Sequence, residues 1–330
     1  MPCRRGRLRY KKHPDEHSLP AIVFGDGTRR RLPELAQPFG SRVLLVTGAA
    51  SFRHSPHRQE LLDGLQARGL AHGHLAVSGE PSPQLVDDAA RQFRGASIDV
   101  VIGIGGGSVL DAAKAIAGLL RVDHSVMDFL EGVGPELPYP GPSVPFIAVP
   151  TTAGTGSEAT KNAVLSVQGE GGFKKSFRHE MLAPRYAVLD PELLAGCSAP
   201  LIAADGMDAL TQLLESYVSL KANPFTDALV MSGIRAVRDS LLPWHHGQGD
   251  LAAHRANMTY AALLSGITLA QVGWARYTGW RRRWARSSPS RTAWPAALWW
   301  RPAPPPICEA SRNARRTAQR WPSTPMPARC

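Results

Sequence analysis

Short apolar runs alternate with helically spaced ones through the first half of the chain. Residues 42–47 (Arg-Val-Leu-Leu-Val-Thr) form an apolar run stopped by Gly48, the pattern of a parallel strand buried on both faces. Helical spacing follows over residues 58–68. A second strand is predicted over 100–104, closed by Gly105, Gly106 and Gly107, then a helix over 109–120 and a third strand over 145–149 that ends at Pro150. This alternation predicts a doubly wound α/β layer, in which ligands gather at the carboxyl ends of the strands. From about Pro200 the apolar period lengthens, and long helices are predicted over 205–220, 224–242 and 257–271. The expected architecture is an α/β domain over 1–190, a helical domain over 191–273 and a separate tail over 274–330, with no internal repeat.

At the strand ends the glycines acquire chemical meaning. Without a Cβ, Gly105, Gly106 and Gly107 let backbone N–H groups approach a pyrophosphate, and the following helix adds partial positive charge. Ser108 is placed to cap that helix, and Asp111 falls in its first turn. A purely structural turn uses the same residue types, so the cluster alone leaves both readings open. After the third strand comes Pro150-Thr151-Thr152-Ala153-Gly154-Thr155-Gly156-Ser157-Glu158-Ala159-Thr160, a hydroxyl-rich loop able to line a polar ligand. Two such loops at neighbouring strand ends point to one nucleotide.

Together with Gly206-Met207-Asp208-Ala209-Leu210-Thr211, these two loops resemble the iron-containing alcohol dehydrogenases, over about residues 20–273. The resemblance implies an α/β dinucleotide-binding domain followed by an all-α metal-binding domain, the dehydroquinate-synthase-like fold. It also implies hydride exchange between NAD or NADP and a small alcohol or aldehyde. By position, Gly105, Gly106, Gly107 and Ser108 would hold the pyrophosphate, with Thr151, Thr152, Thr160, Asn162 and Lys174 nearer the ribose and nicotinamide. Lys175 competes with Lys174 for its place. NAD-preferring relatives commonly carry an acid after the first strand, where this chain has Gly48; with Ser51 and Arg53 nearby, the loop would tolerate or favour NADP. Arg53 and His54 are equally well explained as solvated loop residues. Maleylacetate-reductase-like or other dehydroquinate-synthase-like activity is the alternative enzymatic reading.

The same resemblance implies a divalent metal, Fe or Zn, held by an Asp and a His one helical turn apart and by two later His fourteen residues apart. Asp208 stands in the carboxylate position. Gln212 stands where the His belongs, a poorer transition-metal ligand, and no His follows His254. Metal binding is therefore expected to be weak, and turnover impaired.

Charge changes the picture only at one end. From Trp274 to Cys330 there are twelve Arg, no Lys and one acid, Glu309, so this segment carries the whole net charge of +11; seven of the eight Trp also lie there. A one-base slip of the reading frame, with permitted codon choices, turns the region after Trp274 into a segment with His at the places of Thr278 and Thr292, fourteen apart. An out-of-frame tail is thus the expectation, and an Arg/Trp-rich arm binding nucleic acid by charge and stacking is the rival.

The remaining composition bounds the setting. Cys3, Cys197, Cys308 and Cys330 have neither zinc-ribbon spacing nor the density of a disulfide scaffold, and no 18-residue apolar run occurs. The expectation is a cytoplasmic protein without a membrane span, and a homodimer is left open.

Overall fold

The computed structural model describes residues 19–49, 52, 55–169 and 171–273. The expected slipped frame and the arginine-tryptophan arm lie outside the described residues, as do Ser51, Arg53 and His54.

Six parallel strands form the central sheet. They are β1 (Ala21–Phe24), β2 (Arg42–Gly48), β3 (Ala71–Val77), β4 (Val100–Gly105), β5 (Phe146–Pro150) and β8 (Tyr186–Leu189), in the order β1-β8-β5-β4-β2-β3. Residue parity sorts their side chains. Val43, Leu45, Ile102, Ile104, Ile147 and Val149 face α1 (Leu32–Ala36) and α2 (His57–Ala67), while Leu44, Val46, Val101, Phe146 and Ala148 face α3 (Pro83–Arg94) and α4 (Gly107–Leu119). Both faces are covered, which explains why the central strands read as continuous apolar runs. Each large side chain removed from water this way contributes about 1.5–3 kcal/mol.

An antiparallel hairpin, β6 (Asn162–Val167) and β7 (Phe173–Arg178), lays Leu165 and Phe177 on the α4 side of the core. At the other sheet edge the fully buried carboxylate of Asp190 accepts from Gly27 N, Arg29 N and Arg29 Nη1 at 3.1, 3.2 and 2.8 Å, tying the loop after β1 to the end of β8.

Three long helices complete the described chain: α5 (Ala199–Tyr217), α6 (Pro224–His245) and α7 (Leu251–Val272). Leu213, Val230, Val237, Leu241, Trp244, Met258 and Ile267 make their common core, which Ala153 and Ala159 of the hydroxyl-rich loop also join. An Asn223–Thr226 capping box starts α6 and the Asp250 side chain caps α7. The architecture is thus a parallel α/β layer followed by a helical region, as the apolar pattern predicts. Among the described residues no helix is long and apolar enough to cross a membrane.

Several boundaries differ from the sequence expectation. α5 starts six residues earlier than its apolar period, because Pro200 sits in its first turn, where the missing N–H costs nothing. α6 continues past Pro243 to His245. α7 begins at Leu251, where the Asp250 cap satisfies the first amides ahead of the apolar stretch.

Candidate nucleotide and metal site

Register brings the two glycine-bearing loops together. Gly105 at the end of β4 pairs with Pro150 at the end of β5, and Thr151 N donates to Gly105 O at 3.0 Å, so the loops leave the sheet side by side. Gly106 precedes α4 with extended backbone, and no side chain caps the helix. Ser108 therefore does not act as the cap: it lies inside the first turn of α4. An N-terminus without a side-chain cap presents its amides to whatever lies in front of it.

Close packing explains the glycines. A Cβ on Gly107 would stand 2.6 Å from Thr155 Cγ2 and 2.7 Å from its Oγ1, and Thr152 lies 3.4 Å from the Cβ position of Gly106. On the far side of the hydroxyl-rich loop, Gly156 has φ +62° and would meet Gly266 of α7 at 2.5 Å, and Gly154 would meet the Asp205 Cβ at 2.8 Å. The loop is pressed between α4 and the helical region, with room for backbone and little else.

The other residues expected at the nucleotide are distributed unevenly. Thr151 and Thr152 open the hydroxyl-rich loop beside Gly105 and Gly106, and Thr152 hydrogen-bonds Asp205 of α5. Asp111 lies beneath the loop, its carboxylate accepting from Ser157 Oγ at 2.6 Å and Val164 N at 3.1 Å; burial pushes its pKa upward. Thr160 Oγ1 donates to Ser157 O, and the Asn162 carbonyl accepts from a lysine of α4 at 2.9 Å. Lys174, on β7, pairs with Glu80 at 2.8 Å, and Lys175 Nζ lies against Gly132. Gly48 ends β2 beside Val77. A cavity of about 120 Å³ opens on the α1–α2 face of the sheet, lined by Arg29, Phe52, His57, Leu61, Ile104, Val149 and Leu193 among others.

Two residues of the site escape the sequence reading. Lys114 is the lone cation in the apolar run of α4 and is fully buried. Its position three residues after Asp111, on a helix buried nearly all round, was the available signal. Asp205 precedes Asp208 by three residues, and burial, reinforced by the charge of Asp208, pushes its carboxyl up to about 7. The same environment raises the neighbouring Cys197 thiol to about 12, which leaves it a poor nucleophile.

Comparison with known proteins bears on this arrangement. The family described as iron-containing alcohol dehydrogenase matches residues 20–191, and its C-terminal counterpart matches residues 202–277. The chain belongs to the iron-containing alcohol dehydrogenase family. The probable alcohol dehydrogenase EutG of Escherichia coli is 34% identical over 77% of this chain and 63% of its own length. The NAD-dependent methanol dehydrogenase of Bacillus methanolicus is 30% identical over 77% of this chain and 65% of its length. The crystal structure of an iron-containing alcohol dehydrogenase from Thermotoga maritima superimposes with a TM-score of 0.75 at 29% identity, over 85% of this chain and 76% of that one. The chain thus spans a little under two thirds of the length of these two curated relatives.

The first two metal-ligand positions that the resemblance implies lie on α5. Asp208 and Gln212 are one turn apart on α5, as the spacing predicts. The Gln212 side chain, however, donates through Nε2 to Asp208 Oδ2 at 3.0 Å and accepts through Oε1 from Ser265 Oγ of α7 at 3.1 Å. An ionised carboxylate only accepts, so the amide turns its NH₂ toward Asp208, while the single Ser265 hydroxyl proton is shared between the Gln212 carbonyl and Ala262 O, 2.8 Å away. Asp208 and Gln212 are thus in direct contact on one face of α5. Among the described residues no group of three or more His, Cys, Asp or Glu is arranged to hold a metal ion.

Proposed function

We propose that the chain is an NAD(P)-binding member of an alcohol dehydrogenase lineage whose nucleotide cleft is intact and whose metal-dependent turnover is impaired. The observation that carries the nucleotide half is the Gly105–Pro150 register, which sets the glycine turn beside the hydroxyl-rich loop at the head of α4. The backbone amides of Gly106, Gly107 and Ser108 would hold the pyrophosphate, helped by the partial positive charge of the helix N-terminus. Thr151 and Thr152 would present hydroxyls toward the ribose and nicotinamide. When bound, the nicotinamide supplies a hydride donor or acceptor for a small alcohol or aldehyde. Gly48 offers no carboxylate at the end of β2 to repel a 2′-phosphate, and NADP is accommodated as readily as NAD.

The residue type at 212 supports the second half. With a neutral amide where the resemblance calls for an imidazole, α5 offers one strong ligand, and a single carboxylate does not retain a transition metal against water. The expected result is that the full chain, loaded with Fe²⁺ or Zn²⁺ and passed through gel filtration, carries well under one metal per chain. Alcohol-dependent NAD(P)H formation should then be on the order of a thousandfold below a metal-replete relative, because Lewis-acid stabilisation is worth several kcal/mol and each 1.36 kcal/mol is tenfold. Stoichiometric metal together with normal turnover would overturn this reading.

A further inference from the structure

The side chain least expected by the fold is that of Lys114. It projects from α4 into an interior where its neighbours Ala113, Ala115 and Ile116 are also fully buried. Its Nζ lies 2.8 Å from Ser157 O, 3.0 Å from Ser157 Oγ, 3.1 Å from Thr160 Oγ1 and 2.9 Å from Asn162 O. Ser157 Oγ in turn donates to Asp111 at 2.6 Å, and that carboxylate stands 4.0 Å from the ammonium. One cation therefore reaches three points of the segment that runs from the hydroxyl-rich loop into β6.

Burying an ammonium is costly, and a residue such as Met would fill the same space without that cost. What Met could not do is donate: the three N–H groups of the ammonium are shared among two backbone carbonyls and two hydroxyls. Those acceptors belong to the loop packed against Gly107 through Thr155 and to the first residue of β6, while the lysine belongs to the helix that begins at Gly107.

We propose that Lys114 is a positioning residue for the nucleotide cleft: it fastens the hydroxyl-rich loop and the start of β6 to the glycine helix and so sets the separation between the cleft's two walls. Lys114 touches no nucleotide and acts through the residues it anchors. The consequence for binding rests on the nucleotide reading given above; the anchoring itself does not.

The test combines amide hydrogen exchange with NADH and NADPH titration on the full chain, for the wild type, Lys114→Met, Lys114→Arg and the milder Ser157→Ala. In Lys114→Met, exchange across residues 151–166 should accelerate at least about tenfold while β2 stays protected, and both nucleotides should bind about tenfold more weakly. Lys114→Arg should recover part of each effect, and Ser157→Ala, which keeps the charge and removes one anchor, should fall between wild type and Lys114→Met. Should Lys114→Met not fold, Ser157→Ala decides by the same pair of readouts. Equal acceleration across sheet and loop, or loop exchange that does not change, would overturn the proposal. Unchanged loop exchange is decisive whether or not nucleotide binds, whereas absence of nucleotide binding by the wild type strikes the functional reading and leaves the exchange comparison to judge Lys114.

Discussion

Replacing Gly107 by Val should abolish detectable nucleotide binding while leaving the sheet folded. The new Cβ would stand within 2.7 Å of Thr155, and the branched methyls would push the hydroxyl-rich loop off the head of α4. A weakening of about a hundredfold or more is expected, equivalent to about 3 kcal/mol lost from the complex. Fluorescence titration with NADH and NADPH measures it, and the far-ultraviolet circular dichroism should match the wild type. Gly95→Ala is the control, since a Cβ there meets nothing within 4 Å, and its affinity should equal that of the wild type. Equal affinity in Gly107→Val would remove the glycine turn from the site.

The second large effect concerns stability against pH. Glu158, in the same loop, is 2% exposed, and burial pushes its carboxyl up from 4.5 to about 7, opposed by the charge of Lys114. The folded protein holds this proton more tightly than the unfolded chain does. The contribution of Glu158 to stability is therefore fully present below about pH 4.5 and is lost as pH rises through about 7. Glu158→Gln keeps the shape and has no charge to bury. At pH 8 it should gain up to about 3 kcal/mol, which corresponds to a rise in Tm of roughly 3–8 °C, and at pH 4.5 the two proteins should melt together. Differential scanning calorimetry of both proteins at the two pH values checks this; a gain of equal size at both would show that ionisation of Glu158 is not its source.

How much of this was legible in the sequence follows from where each signal resides. The central strands β2, β4 and β5 are buried on both faces, so their apolar runs stand out in a single pass. β3 (Ala-His-Gly-His-Leu-Ala-Val) is an edge strand with mixed exposure, and β7 has the polar Lys174, Lys175 and Ser176 in succession, so neither shows a continuous apolar run. Gly105 to Gly107 could be read because steric demand at a strand-to-helix turn is local. The surroundings of Gln212 could not, because the hydroxyl beside its amide, Ser265 Oγ, is 53 residues away. Gly156 and Gly266 likewise explain each other only once α7 is laid against the loop. Lys114 lies between these cases: the charge in an apolar helix was visible, and the four acceptors that justify it come from another element.

The most direct test of the account is titration of the purified full chain, without added metal, with NADH and NADPH. Saturable binding of at least one of them is predicted, with Kd in the range of about 1–100 μM. A folded protein that shows no saturable binding of either up to about 1 mM would contradict it.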